Sequence, residues 1–315
     1  MTPLSGGENG ETFLAVTGGS RSVVRVYGEA SAWRGPDAPL IDAAVLRLLR
    51  GLAPVPEVLE VRSAVGEAPG LLVATELPGV RADTLIDGAA GAPAQAAALG
   101  ATARLHAAEQ LGAMAARIAG APMVRRGVFA DAHLRIEDFP EAAAPGEVVA
   151  AMEAAYARGA LAGWPADRLR GLGRMAARAE RLLEDGEEHL GGAACLSHGD
   201  LKARNLLLDP AAGSLTGVVD VEFAHAGVPW TDLGTLLRHG EGPVASEFAE
   251  ALLQSWRAVI RLVDPPGASA LLDLARAADL LALARLAGPD SASGRSATRA
   301  LAAVADSRDL HAPPR

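Results

Sequence analysis

Apolar and polar residues alternate along the first part of the chain, and this alternation stops near Leu77. Up to that point, short runs rich in β-branched residues are separated by turn residues, which indicates strands. The predicted strands are Thr12–Val16, Ser22–Tyr27, Glu57–Arg62 and Gly70–Glu76. The turn Thr17-Gly18-Gly19-Ser20 joins the first two strands into a hairpin. Helical spacing of apolar residues predicts one helix over Leu40–Leu52, and the extended Pro54-Val55-Pro56 ends it.

After Leu77 the apolar residues recur mainly at helical spacing. The predicted helices are Ala94–Leu111, Gly146–Ala160, Pro165–Glu184, Thr231–Arg238, Ala245–Val263, Ala268–Ala287 and Ala297–Val304. A short β-unit interrupts them, with predicted strands Ala193–Ser197, Asn205–Leu208 and Leu215–Val219. The pattern therefore predicts a small β-rich lobe over residues 1–77, with one helix, and a larger helical lobe over residues 78–315 that contains a β-hairpin.

Composition narrows the classes of protein that this pattern fits. Of the 315 residues, 50% are hydrophobic but only 3% are aromatic, so the core must be mainly aliphatic. The net charge of −9 argues against general binding of nucleic acid, which needs basic surfaces. A single cysteine, Cys195, excludes an intrachain disulfide. We find neither a signal peptide nor a membrane-spanning segment, and we expect a cytoplasmic protein that is a monomer or a homodimer.

Three polar residues of the β-unit form the main candidate site. Asp200 lies in the loop after a predicted strand, Asn205 follows five positions later, and Asp220 closes the hairpin. Phosphoryl transfer needs a carboxylate that accepts or orients the proton of the attacking hydroxyl, and oxygen ligands that hold magnesium against the phosphates. Asp200 suits the first role, and Asn205 with Asp220 suits the second. The hairpin can bring them together by folding Asp220 back beside Asn205.

The run LSHGDLKARNLLLD, followed by GVVDVEFAHAGVPWTDLG, resembles the aminoglycoside phosphotransferase family and its choline, homoserine and fructosamine kinase relatives. LSGGENGETFLAV resembles the Gly-rich first hairpin of that family, SVVRVY its third strand and LLVATELPG its hinge. The resemblance implies an α+β, bilobal protein-kinase-like fold. It would have a small antiparallel-sheet N-lobe and a larger, mainly helical C-lobe.

The same resemblance implies roles for individual residues. Asp200 would be the catalytic carboxylate, and Asn205 and Asp220 would hold Mg²⁺. The donor, ATP or GTP, would be bound by backbone groups of the Gly-rich hairpin and the hinge. These groups belong to Gly6, Gly7, Gly10, Thr75 (through its carbonyl) and Leu77 (through its N–H). Asp232 resembles a family residue that hydrogen-bonds the catalytic loop, and it also fits a favourable carboxylate at a helix N-terminus.

Other charged residues near the motif have two interpretations each. His198 is expected to support the loop rather than to react. Lys202 either meets the transferred phosphate or is a solvated surface lysine. Glu222 either joins Asp220 at the metal or is an ordinary charge at a strand end.

The chain departs from the family pattern at two positions. The family usually pairs a Lys of the third strand with a Glu of the following helix, and here the matching residues are Arg25 and Asp42. A long guanidinium with a short carboxylate could close the same gap and clamp the α- and β-phosphates. Alternatively, Arg25 points to solvent and Asp42 caps its helix. This departure leaves open a pseudokinase that binds nucleotide without catalysis.

The resulting hypothesis is transfer of the γ-phosphate of ATP or GTP to a hydroxyl of a small molecule, with magnesium. By resemblance, an aminoglycoside or other antibiotic is the leading acceptor, as in a resistance kinase. A sugar or amino-alcohol metabolite is the second candidate. The acidic residues Glu137 and Asp138 are the candidate acceptor site, against the alternative of a solvated acidic loop. We expect neither nucleic acid nor membrane as a partner.

Overall fold

A five-stranded antiparallel sheet forms the first body of the protein. The computed structural model describes residues 1–4, 11–28, 31, 34–86, 99–139, 147–190, 193–238, 243–262 and 265–311. The strands of this sheet are β1 (Thr2–Leu4), β2 (Glu11–Thr17), β3 (Ser20–Tyr27), β4 (Val58–Arg62) and β5 (Gly70–Thr75). Their order across the sheet is β1-β2-β3-β5-β4. The four predicted strands are confirmed, and β1 is an addition at the edge.

The hairpin between β2 and β3 turns at Gly18 and Gly19. Thr17 pairs with Ser20, and the two glycines have φ angles of 59° and 86°. Positive φ at both central residues is the requirement of a two-residue turn that matches strand twist, and glycine meets it without steric cost. The predicted hairpin is therefore confirmed.

Helix α1 (Ala38–Leu49) follows β3 and packs against β4 and β5. Pro39 lies in its first turn, where a missing N–H is tolerated. The helix ends at Leu49 rather than at the predicted Leu52, because Gly51 adopts a φ of 91° and the chain leaves the helical conformation.

The described residues from Val80 onward form the second body. Its predicted hairpin is confirmed, and the structure adds a third strand to it. Strand β6 (Val80–Arg81) comes directly after Pro78-Gly79 and pairs with β11 (Leu206–Leu208). The sheet order is β12-β11-β6, with β12 at Leu215–Val218. Leu77 therefore lies in the connection between the two sheets. The division of the chain at this residue into two domains stays a prediction.

A second small sheet leads the chain into the loop that begins at His198. Its strands, in the order β7-β10-β13-β8-β9, are β7 (Pro122–Met123), β10 (Ala194–Ser197), β13 (His225–Gly227), β8 (Gly127–Phe129) and β9 (Ile136–Glu137). Only β10 was predicted, because strands of two or three residues are too short to show an alternating pattern.

Helices form the rest of the second body. They are α2 (Ala82–Ile86), α3 (Ala101–Ala119), α4 (Val148–Ala157), α5 (Ala166–Leu190), α6 (Thr231–Leu236), α7 (Pro243–Val259), α8 (Ala268–Leu286) and α9 (Ala292–Ser307). All except α2 were predicted, with differences at the ends. The predicted helix from Ala94 lies partly outside the described residues. Its described part, α3, runs on to Ala119.

The core is aliphatic, as the composition requires, and it is continuous through both bodies. Trp230 and Trp256 are among the largest fully buried side chains, and Leu and Ala supply most of the remainder. Among the described helices, none combines the length and the apolar character that crossing a membrane requires.

Candidate active site

The loop from His198 to Asn205 leaves the buried strand β10 and turns sharply at Gly199. This glycine has a φ of 80°, and a Cβ atom there would lie 2.2 Å from the carbonyl oxygen of Phe223. The loop therefore lies directly against the turn that follows Asp220, and only glycine permits this close approach.

Asp232, in the first turn of α6, holds this loop through two hydrogen bonds to its backbone. Its Oδ2 accepts a hydrogen bond from the N–H of His198 at 2.8 Å, and its Oδ1 accepts one from the N–H of Gly199 at 2.9 Å. Asp232 is buried, so these two bonds satisfy a carboxylate that would otherwise be costly. The predicted hydrogen bonding of Asp232 to the loop is confirmed.

Asp200 is held by two neighbours in the same loop. The amide nitrogen of Asn205 donates to Oδ2 of Asp200 at 2.9 Å and to its backbone oxygen at 2.8 Å. The ammonium of Lys202 lies 2.5 Å from the same Oδ2 and is largely buried. Lys202 is thus an ion-pair partner of Asp200 rather than a solvated surface residue. These two contacts fix the orientation of the carboxylate.

His198 is fully buried beneath the loop. Its Nδ1 accepts a hydrogen bond of 3.3 Å from the N–H of Asp200, and its Nε2 has no hydrogen-bond partner in the part of the chain that the structure describes. A ring without solvent access cannot contact a bound substrate, so the geometry fits the predicted role of His198 in supporting the loop.

Asp220 is brought beside Asn205 by the hairpin. The N–H of Val219 donates to the backbone oxygen of Asn205 at 3.0 Å. Asp220 itself has a φ of 68°, a left-handed conformation that Asp tolerates better than most residues. This bend turns the chain out of β12 at the point where the carboxylate meets Arg25.

Arg25 of β3 reaches across to two carboxylates of the second body. Its two terminal nitrogens lie 2.7 Å from Oδ1 of Asp220 and 2.6 Å from Oε2 of the buried Glu222. Burial lowers the pKa of Arg25, but Asp220, Tyr27 and Glu222 outweigh it and hold that pKa above its ordinary value. The guanidinium also lies over the ring of Tyr27, 5.2 Å from its centre.

The predicted ion pair between Arg25 and Asp42 is not formed. Asp42 is buried at α1, where its carboxylate accepts from the hydroxyl of Tyr27 at 2.6 Å and from Arg34 at 2.5 Å. Arg25 and Tyr27 share one face of β3. The tyrosine takes the position next to Asp42, and Arg25 points instead at Asp220 and Glu222. Burial is the main reason that the pKa of Tyr27 lies above its ordinary value, and the negative charge of Asp42 raises that pKa further.

A family model described as the phosphotransferase enzyme family matches residues 1–271 of the chain. The chain belongs to this family. None of the curated proteins compared with the sequence matches it. The fold of this phosphotransferase family member is protein-kinase-like, with an antiparallel-sheet lobe and a helical lobe, as its solved structural neighbours indicate.

Three solved structures illustrate the similarity. A microcompartment-associated aminopropanol kinase is 19% identical with a TM-score of 0.61, and the match covers 96% of this chain and 90% of that one. A thermostable mutant of aminoglycoside phosphotransferase APH(4)-Ia, in ternary complex with AMP-PNP and hygromycin B, is 19% identical with a TM-score of 0.58, covering 90% and 83%. Aminoglycoside phosphotransferase APH(3'')-Id from Streptomyces rimosus is 16% identical with a TM-score of 0.52, covering 86% and 92%.

The donor set of this phosphotransferase fits magnesium that is shared with a nucleotide. Asn205 uses its amide nitrogen toward Asp200, which leaves the amide oxygen as its ligand atom, and Asp220 and Glu222 add carboxylates. Within the described ranges no three His, Cys, Asp or Glu side chains form a cation cage. Magnesium typically binds through one or two carboxylates plus substrate phosphates rather than through such a cage.

The hinge and the Gly-rich hairpin keep their nucleotide-binding roles only as predictions. Thr75 ends β5, and its hydroxyl accepts from the N–H of Glu57 at 2.9 Å. Leu77 packs close to Gly217 of β12, so the predicted hinge touches the β11–β12 hairpin. Gly6, Gly7 and Gly10 lie outside the described residues.

The predicted acceptor residues lie in local ion pairs. Glu137 is 2.5 Å from Arg135, and the exposed Asp138 contacts Arg125. The following Phe139 meets the ring of His225 edge-on at 5.6 Å, which ties this hairpin to the strand after the Asp220 turn. The hairpin therefore presents a balanced charge rather than a strongly acidic surface, and its role in binding an acceptor stays a prediction.

Sequence reasoning missed Tyr27 and Arg34 as partners of Asp42. The alternation along β3 places Tyr27 on the same face as Arg25, which was a usable signal. For Arg34 the sequence offers no signal, because it lies in an irregular segment before α1.

Proposed function

We propose that the protein transfers the γ-phosphate of ATP to a hydroxyl group of a small molecule. The observation that carries this proposal is the joint placement of Asp200, Asn205 and Asp220, with Asn205 bonded to Asp200 and the hairpin bond holding Asp220 alongside. In this arrangement Asp200 accepts or orients the proton of the acceptor hydroxyl. Bound magnesium would neutralise charge on the phosphates, and Asn205 and Asp220 would hold it.

ATP is the proposed donor, with GTP as the alternative. The APH(4)-Ia neighbour binds AMP-PNP, which supports an adenine nucleotide for this chain. The base would lie at the hinge, near the Thr75 carbonyl and the Leu77 N–H. The phosphates would then lie under β3, where Arg25 supplies a bidentate positive group.

For the acceptor we propose an alcohol that also carries an amine. The neighbours act on or bind two such classes, an aminoglycoside and aminopropanol. An aminoglycoside antibiotic is therefore the first class to test, which would make the protein a resistance kinase. An amino-alcohol metabolite is the second, and the local arginine pairing of Glu137 and Asp138 favours it by removing much of the negative charge that a polycation would seek. A sugar metabolite, which need not carry an amine, is the remaining alternative.

The competing proposal is a pseudokinase, motivated by Arg25 in place of Lys. Release of ADP from Mg²⁺·ATP and of GDP from Mg²⁺·GTP should be measured, each alone and with aminoglycosides, amino alcohols and sugars. We expect release that depends on one acceptor class and disappears when magnesium is chelated. Tight nucleotide binding without turnover for every acceptor would instead favour the pseudokinase.

A further inference from the structure

Arg25 fills the space between two carboxylates, Asp220 and Glu222, at the proposed metal site. Its guanidinium contacts Asp220 at 2.7 Å and Glu222 at 2.6 Å, one nitrogen to each. The three side chains are 15%, 23% and 5% exposed, so water screens them only weakly. Two carboxylates at this depth repel each other unless a cation lies between them.

The guanidinium is suited to this position because it is planar and always charged. A lysine ammonium is a single point charge and cannot present two parallel donors to two acids. Tyr27 lies under the guanidinium and is itself held by Asp42, so the arginine is supported from the N-terminal sheet. Arg25 is thus built into the position that a divalent cation would use to bridge Asp220 and Glu222.

We infer that Arg25 acts as a placeholder for the divalent cation while the nucleotide is absent, and exchanges its carboxylate partners for phosphate oxygens when nucleotide and metal bind. This inference rests on the proposed phosphotransferase function. Phosphate oxygens are the natural second partner, since arginine binds them bidentately as it binds carboxylates.

The exchange makes metal and nucleotide binding cooperative. Without nucleotide, Arg25 has no alternative anion and opposes the entry of a second cation at Asp220. With nucleotide, Arg25 is drawn to the phosphates and releases both carboxylates. Because coupling between two ligands is reciprocal, the nucleotide should bind more tightly with the metal present, by the same factor as the metal with the nucleotide.

Binding of Mn²⁺ followed by electron paramagnetic resonance tests this role without any turnover. The variant is Arg25→Met, and the matched control is Arg21→Met, which removes the same charge from the same strand but from an exposed pair with Glu76. Without nucleotide, we expect Arg25→Met to bind Mn²⁺ roughly tenfold or more tightly than wild type, because a cation in contact with the ligand set is gone. Arg21→Met should bind as wild type does.

Repeating the titration with AMP-PNP completes the test. Wild type should gain Mn²⁺ affinity strongly on adding the analogue, and Arg25→Met should gain much less. An Mn²⁺ affinity of Arg25→Met within twofold of wild type would overturn the placeholder role. If circular dichroism shows that Arg25→Met does not fold, Arg25→Lys replaces it. Its Mn²⁺ affinity without nucleotide should exceed that of wild type, and a difference of less than twofold would again overturn the placeholder role. Failure of wild type to bind AMP-PNP would overturn the proposed function itself, and that outcome is separate from an unchanged Mn²⁺ affinity.

Discussion

Asp200 and Asp232 are neighbouring acids with different tasks. Asp232 is buried, and each of its two carboxylate oxygens accepts a hydrogen bond from a backbone N–H of the loop. Asp200 shares one oxygen, Oδ2, with Asn205 and Lys202. The first residue holds the loop in place, and the second is the carboxylate that we propose to be catalytic, which the loop positions.

Asp200→Asn should lower turnover by about 10²- to 10⁴-fold, the usual loss when a general base is removed. Affinity for AMP-PNP should change little, because the substitution leaves the loop backbone in place. Steady-state rates and calorimetric titration would measure the two effects. Asp209→Asn is the control, since Asp209 accepts N–H groups of a turn that Asn also stabilises. Turnover of Asp200→Asn near the wild-type rate would exclude Asp200 as the catalytic carboxylate.

Asp232→Ala should lower the free energy of unfolding by roughly 1–3 kcal/mol for each buried N–H left without an acceptor. Denaturant unfolding would measure this loss. Asp232→Asn keeps one acceptor oxygen and should lose about half as much. Equal stability of the alanine variant and wild type would show that water or another group replaces the carboxylate.

Close packing of elements depends on small residues at a few positions. Helices α3 and α7 approach each other at Gly112, where an added Cβ would lie 2.1 Å from the carbonyl oxygen of Leu252. Helix α3 of this pair also contacts β10, the strand that leads into the loop from His198 to Asn205. The spacing of this helix pair therefore affects the position of the loop.

Gly112→Ala should destabilise the protein by about 1–3 kcal/mol, because the methyl group forces the backbones of two helices apart. Gly173→Ala is the matched control. Gly173 is an exposed glycine of α5 with nothing within 4 Å of an added Cβ, so alanine should stabilise the helix there by about 0.5–1 kcal/mol. Thermal unfolding of both variants would measure the two shifts, and a loss of stability in both would contradict the packing argument.

At the scale of the molecule, direct contacts join the two bodies. Arg25 of the first body contacts Asp220 and Glu222 of the second, and the N–H of Val218 donates to the carbonyl of Pro54 at 2.8 Å. A ligand that bridges the same two bodies should therefore stabilise the protein as a whole.

AMP-PNP with Mg²⁺ should raise the free energy of unfolding by roughly 2.7 kcal/mol at a ligand concentration a hundredfold above Kd. The part of this gain that needs Mg²⁺ should be lost in Asp220→Asn, because the variant lacks the carboxylate ligand while Asn tolerates the left-handed backbone. Thermal shift with and without Mg²⁺ would measure the difference. Persistence of the full Mg²⁺-dependent shift in Asp220→Asn would remove Asp220 from the metal site.

The sequence by itself determined the parts of this protein that local interactions fix. The Gly18-Gly19 hairpin, the long helices and the meeting of Asp200, Asn205 and Asp220 all follow from residues within one turn or one hairpin. Alternation, glycine conformation and motif spacing report such short-range structure directly. The predicted bond from Asp232 to the loop also held, although it joins residues more distant along the chain.

Only the tertiary structure decided which acid Arg25 meets. Asp42 is much nearer in sequence, yet the partners are Asp220 and Glu222, which lie 195 and 197 residues away. The choice depends on how β3 faces the second body and on Tyr27, whose hydroxyl donates a hydrogen bond to Asp42. The short strands β7, β8, β9 and β13 depend in the same way on neighbours from distant parts of the chain. A contact chosen by the packing of elements that are distant along the chain leaves no periodic signal in the sequence.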